Sequence, residues 1–395
     1  MTRSPAPIPP SPFRLSPRRM PRAAWVLPLL GLFVLLTSAA CRPDDELDDD
    51  DDEEDVVLPR RRAAVLLDGC SLDTAASTTL RGAAAQKVLS EVILLCLSVD
   101  DQGQVAPREG VTDAALKMTI ADLRRLGYAV GLGLTAVDSD DDEQPKEEIS
   151  AWLSQPLWRQ RSVGQLATYA SFADSLQIAL PEILNTSRAN LAAWVGALSG
   201  RLRPASRIGL FIPPSLSEPS DQPGGDAYDV AALLPSVDRL RVLSVEAASG
   251  QAPGPTFDAN WVGDVGTFAL RRVPAEALDV AVPIYGVDFQ LQPGGSRTIT
   301  DESTLSHSEA LALAKKYGKT PEGEAGEARH FTYTDGSNNP HEVWYEDSDS
   351  ILQGLATLTP DVLPAGVGLV LVGLGGEDPQ LFTDIVDATP DDATK

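Results

Sequence analysis

EVILLCLSV (residues 91–99) is a near-continuous apolar run with no polar alternation. A strand with one wet face would alternate, so a run of this kind asks to be buried on both faces. Seven other segments read the same way: AAVLLDG (63–69), YAVGLGLTA (128–136), FADSLQIAL (172–180), RIGLFIP (207–213), LRVLSVE (240–246), DVAVPIYG (279–286) and VGLVLVGL (367–374). Helical patterns lie between them. Thr112–Leu126 carries Ala115, Met118, Leu123 and Leu126 at helical spacing before Gly127. Ile149–Tyr169 contains an amphipathic helix with Trp152 and Trp158 among its apolar positions, and Arg188–Leu202 is a further helix. Buried strands alternating with helices predict an α/β fold with a parallel sheet covered on both sides. Eight of them over residues 60–385 predict a closed (β/α)8 TIM barrel.

One connection is too long for a simple helix. Residues 287–342 hold a short helix (Ser308–Tyr317) and the strand-like HFTYTDGSNNPHEVWY, a small α+β insertion between the seventh and eighth strands. No internal repeat is visible.

The 395 residues suffice for one large domain or two ordinary ones, and 43% hydrophobic content excludes a chain disordered throughout. The net charge of −25 repels a phosphate backbone, so nucleic acid is excluded as a partner. His307, His330 and His341 are too few for a His-rich site and read as surface histidines. No metal or cofactor is expected. There is no GxSxG, P-loop, HExxH or CxxC motif, and the glycines of YAVGLGL lie inside a strand rather than after one.

The N-terminus reads as an address. Arg3, Arg14, Arg18, Arg19 and Arg22 precede the apolar run Ala23–Ala40, which ends in Ser38-Ala39-Ala40 before Cys41. This is the layout of a signal peptide over residues 1–40. The last residues resemble a bacterial lipobox, which implies a lipid on Cys41; plain secretion or an uncleaved anchor helix is the alternative. The expected location is the cell envelope, with the protein an exported, membrane-anchored monomer. DDELDDDDDEED (44–55) holds eleven acids in twelve residues and cannot fold through self-repulsion. Residues 41–59 therefore read as a lipidated cysteine and a disordered tether. Calcium capture would need ligands arranged around a glycine turn, which the run lacks. Residues 386–395 form an acidic tail. Cys70 and Cys96 are expected to be buried free thiols, with a disulfide as the alternative in an oxidising compartment.

Three segments resemble glycoside hydrolase family 18, in its spore-cortex and peptidoglycan-directed branch. They are AVPIYGVDFQLQPGGSRTIT (281–300), SEALALAKKYGKTP with RHFTYTDGSNNPHEVWYEDSDSI, and LGGED (374–378). The resemblance implies a chitinase-like barrel acting on N-acetylated glycans such as peptidoglycan or chitin fragments. Family enzymes carry D-x-x-D-x-D-x-E on the fourth barrel strand. Period-two spacing aims the last three acids at the barrel mouth, where the Glu protonates the glycosidic oxygen and the Asp orients the substrate's own acetamido group.

Here Asp174 stands at the first position, and Gln177, Ala179 and Pro181 occupy the other three. Glu182 comes one residue late, on the opposite parity, although Pro181 could kink the strand end and swing it inward. On the sixth strand the family's M-x-Y-D aligns with Leu243-Ser244-Val245-Glu246, and Val372 stands where the eighth strand would carry a sugar-platform Trp. The resemblance implies ligand-binding roles for Gln177, Glu246 and Tyr285. Trp344 reads as packing between insertion and barrel. Three function classes stay open. They are a non-catalytic glycan-binding or scaffold lipoprotein, an active N-acetylglucosaminidase or chitinase-like hydrolase using Glu182 with Asp174, and a protein-interaction surface without sugar affinity.

Overall fold

The computed structural model describes residues 56–390, apart from 137–144, 181–182, 221, 223, 246–251 and 295–296. Its eight central strands are β1 (Ala63–Leu67), β2 (Leu89–Val99), β4 (Ala129–Ala136), β5 (Ser175–Ile178), β6 (Arg207–Ile212), β7 (Arg239–Val242), β8 (Leu278–Pro283) and β13 (Gly368–Val372). All eight fall within or across the apolar runs that predict them. They pair in parallel in the order β1-β13-β8-β7-β6-β5-β4-β2, and β2 pairs back onto β1 with Ala64 opposite Glu91, so the barrel is closed. A short strand β3 (Val105–Pro107) adds an antiparallel extension to the end of β2.

Alternation divides each strand between two environments. Val65, Leu94, Leu132, Ile178, Leu210, Val280 and Leu371 face outward into the packing against the helices. Ala64, Leu66, Ile93, Leu95, Phe211, Ala281 and Val370 form a separate apolar cluster inside the barrel. The runs look continuous in sequence because both environments are dry.

The insertion is a four-stranded antiparallel sheet in the order β10-β9-β12-β11, from β9 (Gly286–Leu291), β10 (Ile299–Leu305), β11 (Arg329–Thr334) and β12 (Pro340–Tyr345). Its helix, His307–Lys316, starts at a capping box in which Ser306 and Glu309 satisfy each other's backbone N–H groups. Ala310 and Ala314 of that helix pack on Phe331, Tyr333, Val343 and Tyr345. Trp344 is half-buried, stacks on His330 at 4.4 Å and donates to Glu342 at 2.8 Å.

The expectation of free thiols at Cys70 and Cys96 is corrected. The two sulfurs form a disulfide, with the Cα atoms 4.5 Å apart. The ladder between β2 and β4 shifts register between Leu95 and Leu97. That irregularity lets Cys96 reach the loop after β1, a geometry that apolar patterning cannot reveal.

Candidate functional site

In a barrel of this kind the functional end is where the strands' C-termini open. The fourth barrel strand, β5, points Gln177 inward, and only 1% of the residue is exposed. Its amide nitrogen donates to Ser175 Oγ at 2.8 Å and to Glu91 Oε1 at 3.2 Å, and Ser175 donates to the same Glu91 oxygen at 2.7 Å. Arg241 binds the other Glu91 oxygen at 2.6 Å and lies 3.5 Å from Asp279 Oδ2, while Arg62 closes the network on Asp279. Burial pushes the Glu91 carboxyl up, but Arg241 and the Ser175 hydroxyl outweigh it and hold the group below its ordinary value. Gln177 is thus tied into a buried ionic network. Gly209 makes the room, because a Cβ there would stand 1.8 Å from Gln177 Oε1.

Toward the mouth the lining turns apolar. Ala179, Val245 and Val372 are 2%, 4% and 5% exposed, and they share one cluster with Phe211, Leu243 and Tyr285. These are the positions where the resemblance would place an acid, a tyrosine and a tryptophan. Sequence parity alone points them at one space, and the structure brings them together there. The half-buried Tyr285 lies over Gly373, whose φ of 103° and missing side chain allow the approach. Thr256 links the mouth to the insertion: its hydroxyl lies 3.0 Å from the Tyr285 carbonyl and 2.9 Å from Glu346 Oε1. Glu346 also accepts from the Phe257 amide at 3.0 Å and Ser350 at 2.7 Å. Burial pushes its carboxyl above the ordinary value, and these hydrogen bonds only partly oppose the shift.

Asp174 does not join this group. It precedes β5 at the end of the barrel opposite the mouth. Its carboxylate meets Arg124 at 2.9 and 3.2 Å and accepts the Val130 amide at 2.8 Å. Burial works to raise its pKa, but Arg124 and the Val130 amide hold the carboxyl below the ordinary value. The first acid of the motif is therefore a helix-to-strand tie at the end opposite the mouth, which is not where a catalytic partner of Glu182 would be expected. Glu182, Pro181, Glu246 and Cys41 lie outside the described residues.

Two groups escape the sequence reading. The Glu91–Arg241–Asp279 network was legible only as charged residues on inward parity, at the starts of apolar runs. The other is Asp68, which follows β1 in step with the inward Ala64 and Leu66 and pairs with Arg108 at the rim. Arg108 also donates to the Leu95 carbonyl at 3.1 Å, and the Cys70–Cys96 bridge fastens the same corner. Among the described residues, no cluster of three or more His, Cys, Asp or Glu could hold a metal ion.

No protein-family model matches the chain. It is 29% identical over 153 residues to a cortical fragment-lytic enzyme of Bacillus subtilis, covering 38% of this chain and 34% of that protein. The chain thus spans under half the length of the curated relatives it matches. The spore cortex-lytic enzyme SleL of Bacillus cereus superimposes with a TM-score of 0.68 at 18% identity, over 85% of this chain and 76% of that one. A chitinase from Chromobacterium violaceum gives 0.68 at 20% identity, over 83% and 98%. The fold is that of the chitinase-like (β/α)8 barrels with an α+β insertion. Within that class the likeness is to glycoside hydrolase family 18, on the side of its cortex-lytic glycosylases and class V chitinases.

Proposed function

We propose that this protein is an exported, lipid-anchored barrel that holds an N-acetylated glycan of the peptidoglycan or chitin type and does not cleave it at a hydrolase's rate. One observation carries the reading: Ala179, Val245 and Val372 fill the mouth as a buried apolar cluster while Gln177 is tied to Glu91 and Ser175. Substrate-assisted hydrolysis needs an acid at the leaving oxygen and a clamp on the acetamido group. Ala179 offers no charge and Val245 no hydroxyl. Loss of a positioned general acid alone costs about 10²–10⁴ in rate. The class of glycan comes from relatives named as cortex-lytic enzymes and chitinases. The anchor rests on the basic, apolar and small-residue order that ends at Cys41.

The test pairs turnover with binding on chitooligosaccharides and peptidoglycan fragments. The expected result is saturable binding without turnover above background. Turnover that disappears in Glu182→Gln would overturn the reading. Mass spectrometry of the membrane fraction should find a mature chain beginning at lipidated Cys41; a chain beginning elsewhere in the soluble fraction would remove the anchor.

A further inference from the structure

Positive charge collects at the end of the barrel away from the mouth. Arg62 precedes β1, Arg207 opens β6, Arg239 opens β7, and Arg241 points inward two residues further on. Glu91 and Asp279 form ion pairs with two of these four guanidiniums, Arg241 with both carboxylates and Arg62 with Asp279. Burial and the charge of Arg62 hold the Arg239 guanidinium below its ordinary value. Arg241 and Arg207 add to the effect, and Asp279 opposes it. Arg241 is 2% exposed, and its Nε and one terminal nitrogen have no hydrogen-bond partner among the described residues. Around this core Arg60, Lys87 and Arg201 are exposed without a carboxylate ion pair among the described residues, and the exposed Arg207 acts on Glu91 and Asp174 through its charge without a direct ion pair. Lys87 and Arg201 occupy the last turns of helices that run down to this floor.

The chain delivers the complement to the same place. Leu58 is pinned at the floor by a 2.8 Å backbone bond to Ala388, at the end of the last helix. Eleven carboxylates in twelve residues, Asp44–Asp55, come directly before Val56. The five steps from Asp55 to Arg60 span at most roughly 17 Å, and the acidic run itself reaches roughly 40 Å when extended. A partner attached by so short a link works at millimolar effective concentration. We propose that the basic floor is the docking surface for the chain's own acidic segment, Asp44–Asp55. An anionic bilayer is the competing occupant. It is disfavoured because eleven carboxylates beside the floor would have to lie against like-charged headgroups.

Carbodiimide coupling of the full-length protein, read by peptide mass spectrometry, tests this without a spacer. Among the described residues Lys87 is the lysine at the floor, whereas Lys315 and Lys316 lie on the insertion helix. At low salt, Lys87 should couple to peptides from residues 44–55 at least about fivefold more than Lys315 or Lys316 does. The yield should fall by a similar factor in about 0.5 M salt, and in the surface variant Arg201→Gln/Arg207→Gln at low salt. Coupling that ignores both salt and the two arginines would reflect chain proximity alone and overturn the proposal. Loss of the Lys87 link on adding phosphatidylglycerol vesicles, but not phosphatidylcholine ones, would assign the floor to lipid and overturn it equally. Retention of the link with both vesicle types supports it.

Discussion

At Gly209 a methyl group would stand 1.8 Å from Gln177 Oε1, inside the contact distance of any two heavy atoms. Gln177 cannot swing away freely, because its amide nitrogen is held by Ser175 and Glu91. Gly209→Ala should therefore cost about 1–3 kcal/mol as an overpacking change. Gln177→Ser in the same chain should recover part of that loss, although alone it removes the amide's hydrogen bonds to Ser175 and Glu91. Urea unfolding of the four proteins in a double-mutant cycle measures the coupling, and additive losses would show that the two residues do not share the space. The inward parity of Gln177 was legible, since Leu176, Ile178 and Leu180 fix the outward face. Its partners were not: Glu91 lies 86 residues earlier in the chain, and the Arg241 that holds Glu91 is 150 residues from it, on the far side of Gln177. Only closure of the barrel brings them together.

Elements were legible in proportion to how dry they are. The barrel strands announce themselves because both faces are buried. β10 does not, because Ile299–Leu305 is exposed or half-buried throughout and is held by backbone pairing to β9. The disulfide escaped for a related reason, as it depends on a local break in the β2–β4 register. It closes a 26-residue separation between β1's loop and β2. Replacing both cysteines by serine should lower the unfolding free energy by about 2–4 kcal/mol on chain-entropy grounds. Denaturant melts of oxidised, reduced and double-Ser protein check this, and no difference between oxidised and double-Ser protein would contradict it.

The joint between insertion and barrel holds a buried carboxyl, Glu346. Glu346 has a folded pKa above its unfolded one, so the native state holds this proton more tightly. Its contribution to stability is fully present below the unfolded pKa and is lost as pH rises through the folded value. Glu346→Gln fixes the neutral form, and its amide can still accept from Thr256 and the Phe257 amide while donating to Ser350. The variant should match or exceed the parent at neutral pH and should flatten the fall in stability as pH rises from the ordinary carboxyl range to neutrality. Glu346→Ala strands those buried donors and should cost about 1–3 kcal/mol. Unfolding free energies across that pH range decide both, and an unchanged slope in Glu346→Gln would mean the carboxyl does not titrate with folding.

Over the whole molecule, the residues that the resemblance singles out are divided between the two ends of the barrel. Asp174 belongs to the floor, with Arg124 and the Val130 amide. Tyr285 belongs to the mouth, in the cluster with Ala179, Val245 and Val372. A ligand seated at the mouth should therefore feel one of these residues and not the other. Tyr285→Ala removes an aromatic surface worth about 0.5–1.5 kcal/mol beyond its buried area. Binding of N-acetylglucosamine oligomers should then weaken by about tenfold, which is about 1.4 kcal/mol. Asp174→Asn should leave that affinity unchanged. Its cost should appear in stability, because a depressed carboxyl stabilises the fold above its unfolded pKa and that gain is lost as pH falls through the folded value. Titration calorimetry and thermal melts of both variants separate the two effects. If Asp174→Asn instead lowered affinity while its melting temperature held, the floor and the mouth would be coupled through the Glu91–Arg241 network between them, and the glycan would be read by the whole barrel interior rather than by its rim.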